Sequence, residues 1–443
     1  MKKRILILFF IVSNAAFAQD LMSFKDCLEL ALKENLEMKS ALNSELIAKT
    51  QYRLSYGKLI PNIYGTIDNK DSWGREIDPN SNLFVNTDIK NYVGYLNASY
   101  NLFAGFTVLN SIKFAKQEYK VNQSNVKKVE NQITIDLAEK FITILYLQEI
   151  IAANEKQIES SQKQLELAQL KFDSGTIAEG EVFKIKSQKA SEELTLITNQ
   201  NHLTDNLVSL KQLMNMPLDK EITLIKPILQ IDPSLDIERN QYDIIKQALE
   251  INPSLAMSQY REKKARAALA LARASRYPVL SMRAQYGSQY TKTNYQDHSE
   301  DLLPFEDQLR NNEVNILRLN LIVPIFNQFD SRSKIKTSKI LYKQSKIDTE
   351  IKRNELSKEV LKAITDTKTS LKKNEASSKA FEFSEKSYQA DALKFELGKI
   401  NTNELNVTKA SYNYSQAQLI QSKYELLYNN ALIKFYLGEK FSL

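Results

Sequence analysis

The side chains that most often carry out chemistry are scarce in this 443-residue chain: two histidines, His202 and His298, and a single cysteine, Cys27. A protein zinc site needs several converging Cys, His or carboxylate ligands, and neither an H-E-x-x-H nor a C-x-x-C pattern is present. No glycine-rich loop cradles a phosphate, so any nucleotide-derived energy must come from a partner. Cys27 has no second cysteine to pair with and reads as a small apolar residue on the first helix. Trp73 lies in a polar stretch and reads as a loop anchor or interface residue. These residues predict no enzyme, no cofactor and no metal. The feature that does recur is a pair of glutamates. LKFDSGTIAEGE (170–181) and LKFELGKINTNE (393–404) share Leu, Lys, Phe, Gly, Ile and Glu at matching positions, which makes Glu181 and Glu404 equivalents.

The elements that must position this repeat follow from composition and spacing. Only 10 Gly and 9 Pro punctuate the chain, which predicts long uninterrupted elements. The formal charge of +7 is spread along the chain rather than gathered in a stripe, so solvated lysines on helix faces account for it and no nucleic-acid partner is expected. Residues 1–18 read as a secretory signal peptide: Lys2, Lys3 and Arg4, an apolar run, then Ala16-Phe17-Ala18 ahead of Gln19. No later apolar run is long enough for a membrane helix, and the nearest rival, FITILYLQEII (141–151), is broken by Gln148 and Glu149. An exported chain of this kind can cross a membrane only with strands.

The duplication extends far beyond its most visible part. Ala31 matches Ala248, Ala48 matches Ala265, Leu54 matches Leu271 and Pro61 matches Pro278, all at an offset of 217. Phe103 and Phe326, Lys113 and Lys336, and Tyr119 and Tyr342 match at 223, as does the glutamate-bearing stretch. Six residues are therefore inserted between Pro278 and Phe326, where loops tolerate change. The chain divides into a first repeat over 19–216, a linker over 217–241 and a second repeat over 242–443.

Neither Gly nor Pro occurs over 106–174 or 328–397. As helix, about 70 residues at 1.5 Å each give roughly 100 Å. Ile133, Leu137, Phe141, Ile144, Leu145 and Ile151 keep three- and four-residue steps, which predicts helix with one apolar face. Return helices are expected over about 181–214 and 402–437. Gly175 and Gly398 then mark the turns of two long hairpins, supplying the left-handed cap that ends a helix. At the other ends, PNIYGTID (61–68), NYVGYLNASYNLF (91–103), PVLSMRAQYGSQY (278–290) and EVNILRLNLIVPIF (313–326) have the length and partial alternation of strands crossing a bilayer at a tilt, in hairpins about 62–103 and 279–326. Four strands cannot close a barrel, and a bare sheet edge has no place in lipid. The chain must oligomerise, and dimer, trimer and tetramer would give 8, 12 and 16 strands. A competing reading, an exported coiled-coil scaffold or adaptor without a pore, explains the helices but needs neither the second hairpin nor the two strand pairs.

The starts ALKENLEM and ALEINPSL, the prolines Pro61 and Pro278, the strand exits YNLFAGF and VPIFNQF, and the two KFxxGxI turns, in this duplicated order, resemble the TolC-type outer-membrane efflux channels over almost all the mature sequence. That resemblance implies a mainly α fold with membrane β: an α-barrel of long helical hairpins and four transmembrane strands per protomer, 12 in a trimer. It implies residence in the outer membrane of a Gram-negative bacterium with the helices in the periplasm, in contact with outer-membrane lipid. The 217–253 segment and the C-terminus would form an equatorial belt. The implied partners are a homotrimer's other copies, a periplasmic adaptor (membrane fusion protein), and an inner-membrane efflux pump or ABC transporter. Carried over, the adaptor-docking tips are Ser174, Gly175, Thr176, Ile177, Leu397, Gly398, Lys399 and Ile400. Glu404 takes the first acidic position of the family's pore gate, with Glu181 its counterpart; the second acidic position falls on Val407, so one carboxylate ring is the most expected.

Overall fold

The computed structural model describes residues 20–77, 82–227, 241–294 and 303–443. The expected cut before Gln19 and His298 lie outside them. In chain order the elements are β1 (Asp20–Met22), α1 (Phe24–Glu34), α2 (Leu36–Gly57), β2 (Asn62–Ile77), β3 (Phe84–Ala104), α3 (Thr107–Asp173), α4 (Glu179–Leu213), β4 (Ile222–Leu224), α5 (Gln241–Ile251), α6 (Pro253–Ala274), β5 (Val279–Asn294), α7 (Phe305–Asn311), β6 (Val314–Ile322), α8 (Asp330–Glu396) and α9 (Thr402–Tyr436). The duplication is structural as well as textual. The long helices α3 and α8 each have 67 residues, and the return helices α4 and α9 each have 35. No described helix is long and apolar enough to cross a membrane.

The described residues form two compact units, one within Met1–Leu42, Val126–Pro253 and Arg353–Leu443, the other within Asn43–Asn125 and Ser254–Lys352. In the second, β2, β3, β5 and β6 make an antiparallel sheet in that order, leaving one edge of β2 and one of β6 unpaired among the described residues. Because side chains alternate along a strand, the register fixes which ones share a face. Ile63 and Ile67 of β2 lie in line with Ala98 and Gly94 of β3, with Ala284 of β5, and with Leu317 of β6; Leu96, Tyr286, Met282 and Leu319 fill the rows between and beside them. Opposite them, Thr66 and Asp68 share the other face with Asn97, Arg283, Gln285, Arg318 and Asn320. Ile67 is 89% exposed and Leu317 69%. An apolar face left open beside a polar one is the dressing of a sheet with lipid on one side and water on the other.

The strands outrun the lengths read from the sequence. β2 continues through the polar stretch to Ile77 and β3 begins at Phe84, so most of the expected loop between them is paired strand. Past the apolar face the alternation disappears, and the backbone ladder carries the strand on with side-chain contacts such as Arg75 over the Phe84 ring at 5.3 Å and the Lys70–Glu76 ion pair. In the second hairpin β5 extends to Asn294, while part of the expected loop is the short helix α7.

The other unit holds the apolar core. Leu137, Phe141, Ile144 and Leu145 of α3 are fully buried against Cys27 and Ala31 of α1 and Leu210 of α4. Phe24 meets Phe141 edge-on at 5.6 Å and Phe441 at 5.5 Å, which ties the chain's C-terminal residues into the same core. Ser23 and Asp26 cap α1 reciprocally, Asp26 N–H donating to the Ser23 hydroxyl at 3.3 Å and Ser23 N–H to Asp26 Oδ2 at 3.0 Å. The Asn35 side chain accepts from Glu37 and Met38 N–H at the start of α2 and donates to the Leu213 carbonyl at 2.9 Å. A parallel pairing of β1 with β4 joins the start of the first repeat to the linker, a contact that three-residue strands could not announce in sequence.

Candidate functional site

Both hairpin turns close in the same way. Gly175 (φ 72°) donates its N–H to the Phe172 carbonyl at 2.8 Å, and Thr176 N–H reaches Lys171 O at 2.7 Å. Gly398 (φ 70°) and Lys399 repeat the pair to Phe395 O at 3.0 Å and Lys394 O at 2.8 Å. This double bond with a left-handed residue between is the Schellman termination, which glycine adopts without penalty. A Cβ at Gly398 would meet nothing within 4 Å, so substitution there carries a backbone cost without a clash. Gly398→Val is expected to destabilise the second turn by about 1–2 kcal/mol, measured as roughly tenfold faster hydrogen exchange or proteolytic nicking confined to that turn.

Of the expected docking residues, Ser174, Gly175, Thr176, Leu397, Gly398 and Lys399 are exposed. The two isoleucines turn inward instead. Ile177 packs with Ala168, Val182 and Ile185 inside its own hairpin, and Ile400 is half-buried. Within the unit the two hairpins are pinned together just above the turns: Lys171 Nζ donates to the Phe395 carbonyl at 2.9 Å and lies 4.7 Å from the centre of its ring. Higher up, Tyr388 of α8 bonds Ser160 at 3.1 Å and Gln164 at 3.0 Å, both on α3.

The two equivalent glutamates have different surroundings. Glu181 is half-buried and ion-paired with Lys184 at 2.8 Å; that lysine, then the Thr402 hydroxyl of the other hairpin, hold its carboxyl below the usual range. Glu404 is exposed in the first turn of α9, where its N–H donates to Asn401 Oδ1 at 3.0 Å and its own Oε1 accepts from Asn401 Nδ2 at 2.8 Å. Ala178 stands where Asn401 does in the other repeat and offers no side-chain cap. Glu404 thus presents an exposed carboxylate with one oxygen, Oε1, held by Asn401.

A buried charge pair was invisible to the sequence. Lys409 of α9 lies 3.1 Å from Glu192 of α4, with side chains 3% and 4% exposed. Ser161 of α3 donates to Glu192 and accepts from Lys409, and Gln188 donates to Glu192 Oε1 at 3.0 Å. Burial alone would raise the Glu192 pKa, but the hydrogen bonds from Ser161, Gln188 and Gln157 and the Lys409 charge hold it below the usual range. Burial pulls the Lys409 ammonium below its own usual value against the opposing charge of Glu192. Read in sequence, a Glu and a Lys on charged helices look like solvated faces. The duplication carried one clue: Ser384 and Ser415, the equivalents of Ser161 and Glu192, bond to each other in the second hairpin, so Glu192 is the departure from the repeated pattern.

Among the described residues no cluster of three or more His, Cys, Asp or Glu is placed to hold a metal. One unit thus holds a four-stranded sheet with two unpaired edges among the described residues, and the other holds two capped helical hairpins. The chain belongs to the outer membrane efflux protein family, which it matches over residues 27–216 and 244–439. Its role is that of an efflux channel. Solved structures share the fold across nearly its whole length: the Campylobacter jejuni CmeC outer membrane channel (TM-score 0.82, 14% identity, 95% of this chain and 86% of that one) and the Vibrio cholerae outer membrane protein VceC (0.78, 16%, 95% and 97%). The transmembrane channel CusC is similar at a TM-score of 0.78 and 16% identity over 97% of this chain and 95% of that one. Among curated proteins none matches the chain in sequence.

Proposed function

We propose that three copies of the chain close into a 12-stranded barrel in the outer membrane of a Gram-negative bacterium, with the helical hairpins projecting into the periplasm as an exit duct. The turns at Gly175 and Gly398 meet a periplasmic adaptor, which links the duct to an inner-membrane efflux pump or ABC transporter. The observation that carries this reading is the sheet with one lipid-type face and two unpaired edges, which finds its missing partners only in further copies. The chain itself conducts and does not catalyse. In the cell it should fractionate with the outer membrane and run as a heat-sensitive trimer, and its deletion should abolish export; a soluble monomer would overturn the reading. Lys399→Glu, which reverses a charge on an exposed turn without touching its backbone, should weaken adaptor cross-linking while leaving the trimer intact.

In such a trimer three copies of Glu404 face a common mouth. Carboxylates at close quarters attract cations and repel anions. Glu404→Gln keeps the Asn401 cap's shape and removes the charge, so single-channel recordings should show reduced cation selectivity and altered conductance. An unchanged channel would dispose of the ring.

A further inference from the structure

Strand gives way to long helix twice, and both junctions hold residues at positive φ. In the first, Gly105 (59°) precedes Phe106 (63°); in the second, Gln328 (53°) precedes Phe329 (63°). A left-handed conformation costs a side-chain-bearing residue about 1–2 kcal/mol, and such strain persists where the surroundings hold it for a purpose. Here the twist has the same outcome at each junction. Phe106 stands edge-on to Phe103 at 5.7 Å and 83°, and Phe329 to Phe326 at 5.5 Å and 87°. All four rings are exposed, just past the apolar rows of the sheet, where aromatic side chains collect at the boundary of a bilayer.

The two junctions differ in charge. Beside Phe326 and Phe329 is a cavity of about 330 Å³, flanked by Arg276 and Arg332. Among the described residues no carboxylate pairs with either guanidinium, and the nearby Asp330 is taken by Lys334 at 2.6 Å. The hydroxyls in the cavity are already engaged: Ser275 donates to Ser331 Oγ at 3.0 Å, as does Asn327 Nδ2 at 2.5 Å. In the first repeat the equivalents of Arg276 and Arg332 are Leu59 and Leu109, both exposed. The shared twist and aromatic pair therefore serve both junctions, and the two arginines belong to one.

We propose that this cavity binds the phosphate of an anionic glycerophospholipid at the membrane boundary on the helical side of the sheet, one lipid per chain. Guanidinium forks match phosphate oxygens in shape and charge. Phe326 and Ile325, the latter 95% exposed, then lie against the glycerol and the first methylenes of the acyl chains. A soluble anion would have no use for that apolar half of the lining. A neighbouring copy pairing its β2 with the free edge of β6 would bring Lys58 towards the site, a third cation rather than a counter-charge. The inference rests on reading the helical end of the sheet as the inner boundary of the outer membrane.

The test is native mass spectrometry of the full-length assembly, loaded from nanodiscs containing phosphatidylglycerol or phosphatidylcholine. The wild type should retain phosphatidylglycerol in preference, up to one per chain. Arg276→Leu with Arg332→Leu, which copies the first junction, should weaken that retention on the order of tenfold or more while the assembly stays trimeric and conducting. Equal retention by the double variant would overturn the proposal. So would displacement of the lipid by millimolar inorganic phosphate, which would make this a site for soluble anions. Loss of the trimer in the double variant also counts against it, by assigning the cavity to the seam between copies. Unchanged conductance in a lipid-free variant separates failure of this site from failure of the channel reading.

Discussion

Replacing Lys409 with methionine is expected to destabilise the paired hairpins by about 3–5 kcal/mol, because it strands the Glu192 carboxylate in a site with no counter-ion. Glu192→Leu combined with Lys409→Met should recover most of that loss, since a buried ion pair replaced by packed apolar groups is often neutral or better. The measurement is the midpoint for heat dissociation and unfolding of the assembled protein, compared across the two single variants and the double. The pH dependence gives an independent check on sign. In the wild type the folded-state pKa of Glu192 is depressed, so the stability it contributes is present above its unfolded value of about 4.3 and is lost as pH falls below that. In Lys409→Met the same carboxyl loses its cation and its pKa moves up from the wild-type position, so the deficit relative to the wild type shrinks on acidification. A double variant as unstable as Lys409→Met would show that the pair's packing, rather than its charge, matters.

Joining the first turn of one copy to the second turn of its neighbour is expected to abolish export altogether. Thr176 and Lys399 are exposed at corresponding places on the two turns, and Thr176→Cys with Lys399→Cys provides thiols that a short bifunctional maleimide can bridge. The background is clean: Cys27 is the chain's only cysteine and is fully buried, and burial pushes its thiol up to about 12, well away from the reactive thiolate. Linked chains should appear as dimers and trimers on denaturing gels, and export should fall to the level of cells lacking the protein. Export by the same variant without the linker is the reference against which the linked assembly is read. Full export by a cross-linked assembly would mean that the mouth conducts without the turns moving apart.

Much of this architecture was legible because its signals were long or duplicated. The two Gly- and Pro-free runs gave the long helices to within a residue or two, and the repeated KFxxGxI turn located both hairpin ends, since only a left-handed residue closes a helix that way. Strand lengths were less legible, because residues 68–77 keep the ladder while losing the apolar alternation that announces it. The three-residue β1–β4 pairing left no periodic trace. Within the candidate site, the turns could be read from residue type and spacing. The Lys171–Phe395 clamp and the Glu192–Lys409 pair could not, since each joins residues more than 200 positions apart whose types are ordinary on a charged helix.

The serine pair Ser384–Ser415 has a consequence for any closed ring of these chains. Hairpins of the first and second kind must alternate around it, so joints within a chain alternate with joints between chains. Within a chain, Glu192 meets Lys409. At the joint between chains the equivalent positions hold Ser415 and Lys186, and that pairing of opposite charges has no counterpart. Six identical single-repeat chains would be bound by symmetry to make every joint alike. A gene that spells the repeat twice escapes that rule, and can give one ring two grades of joint and therefore an order in which they part.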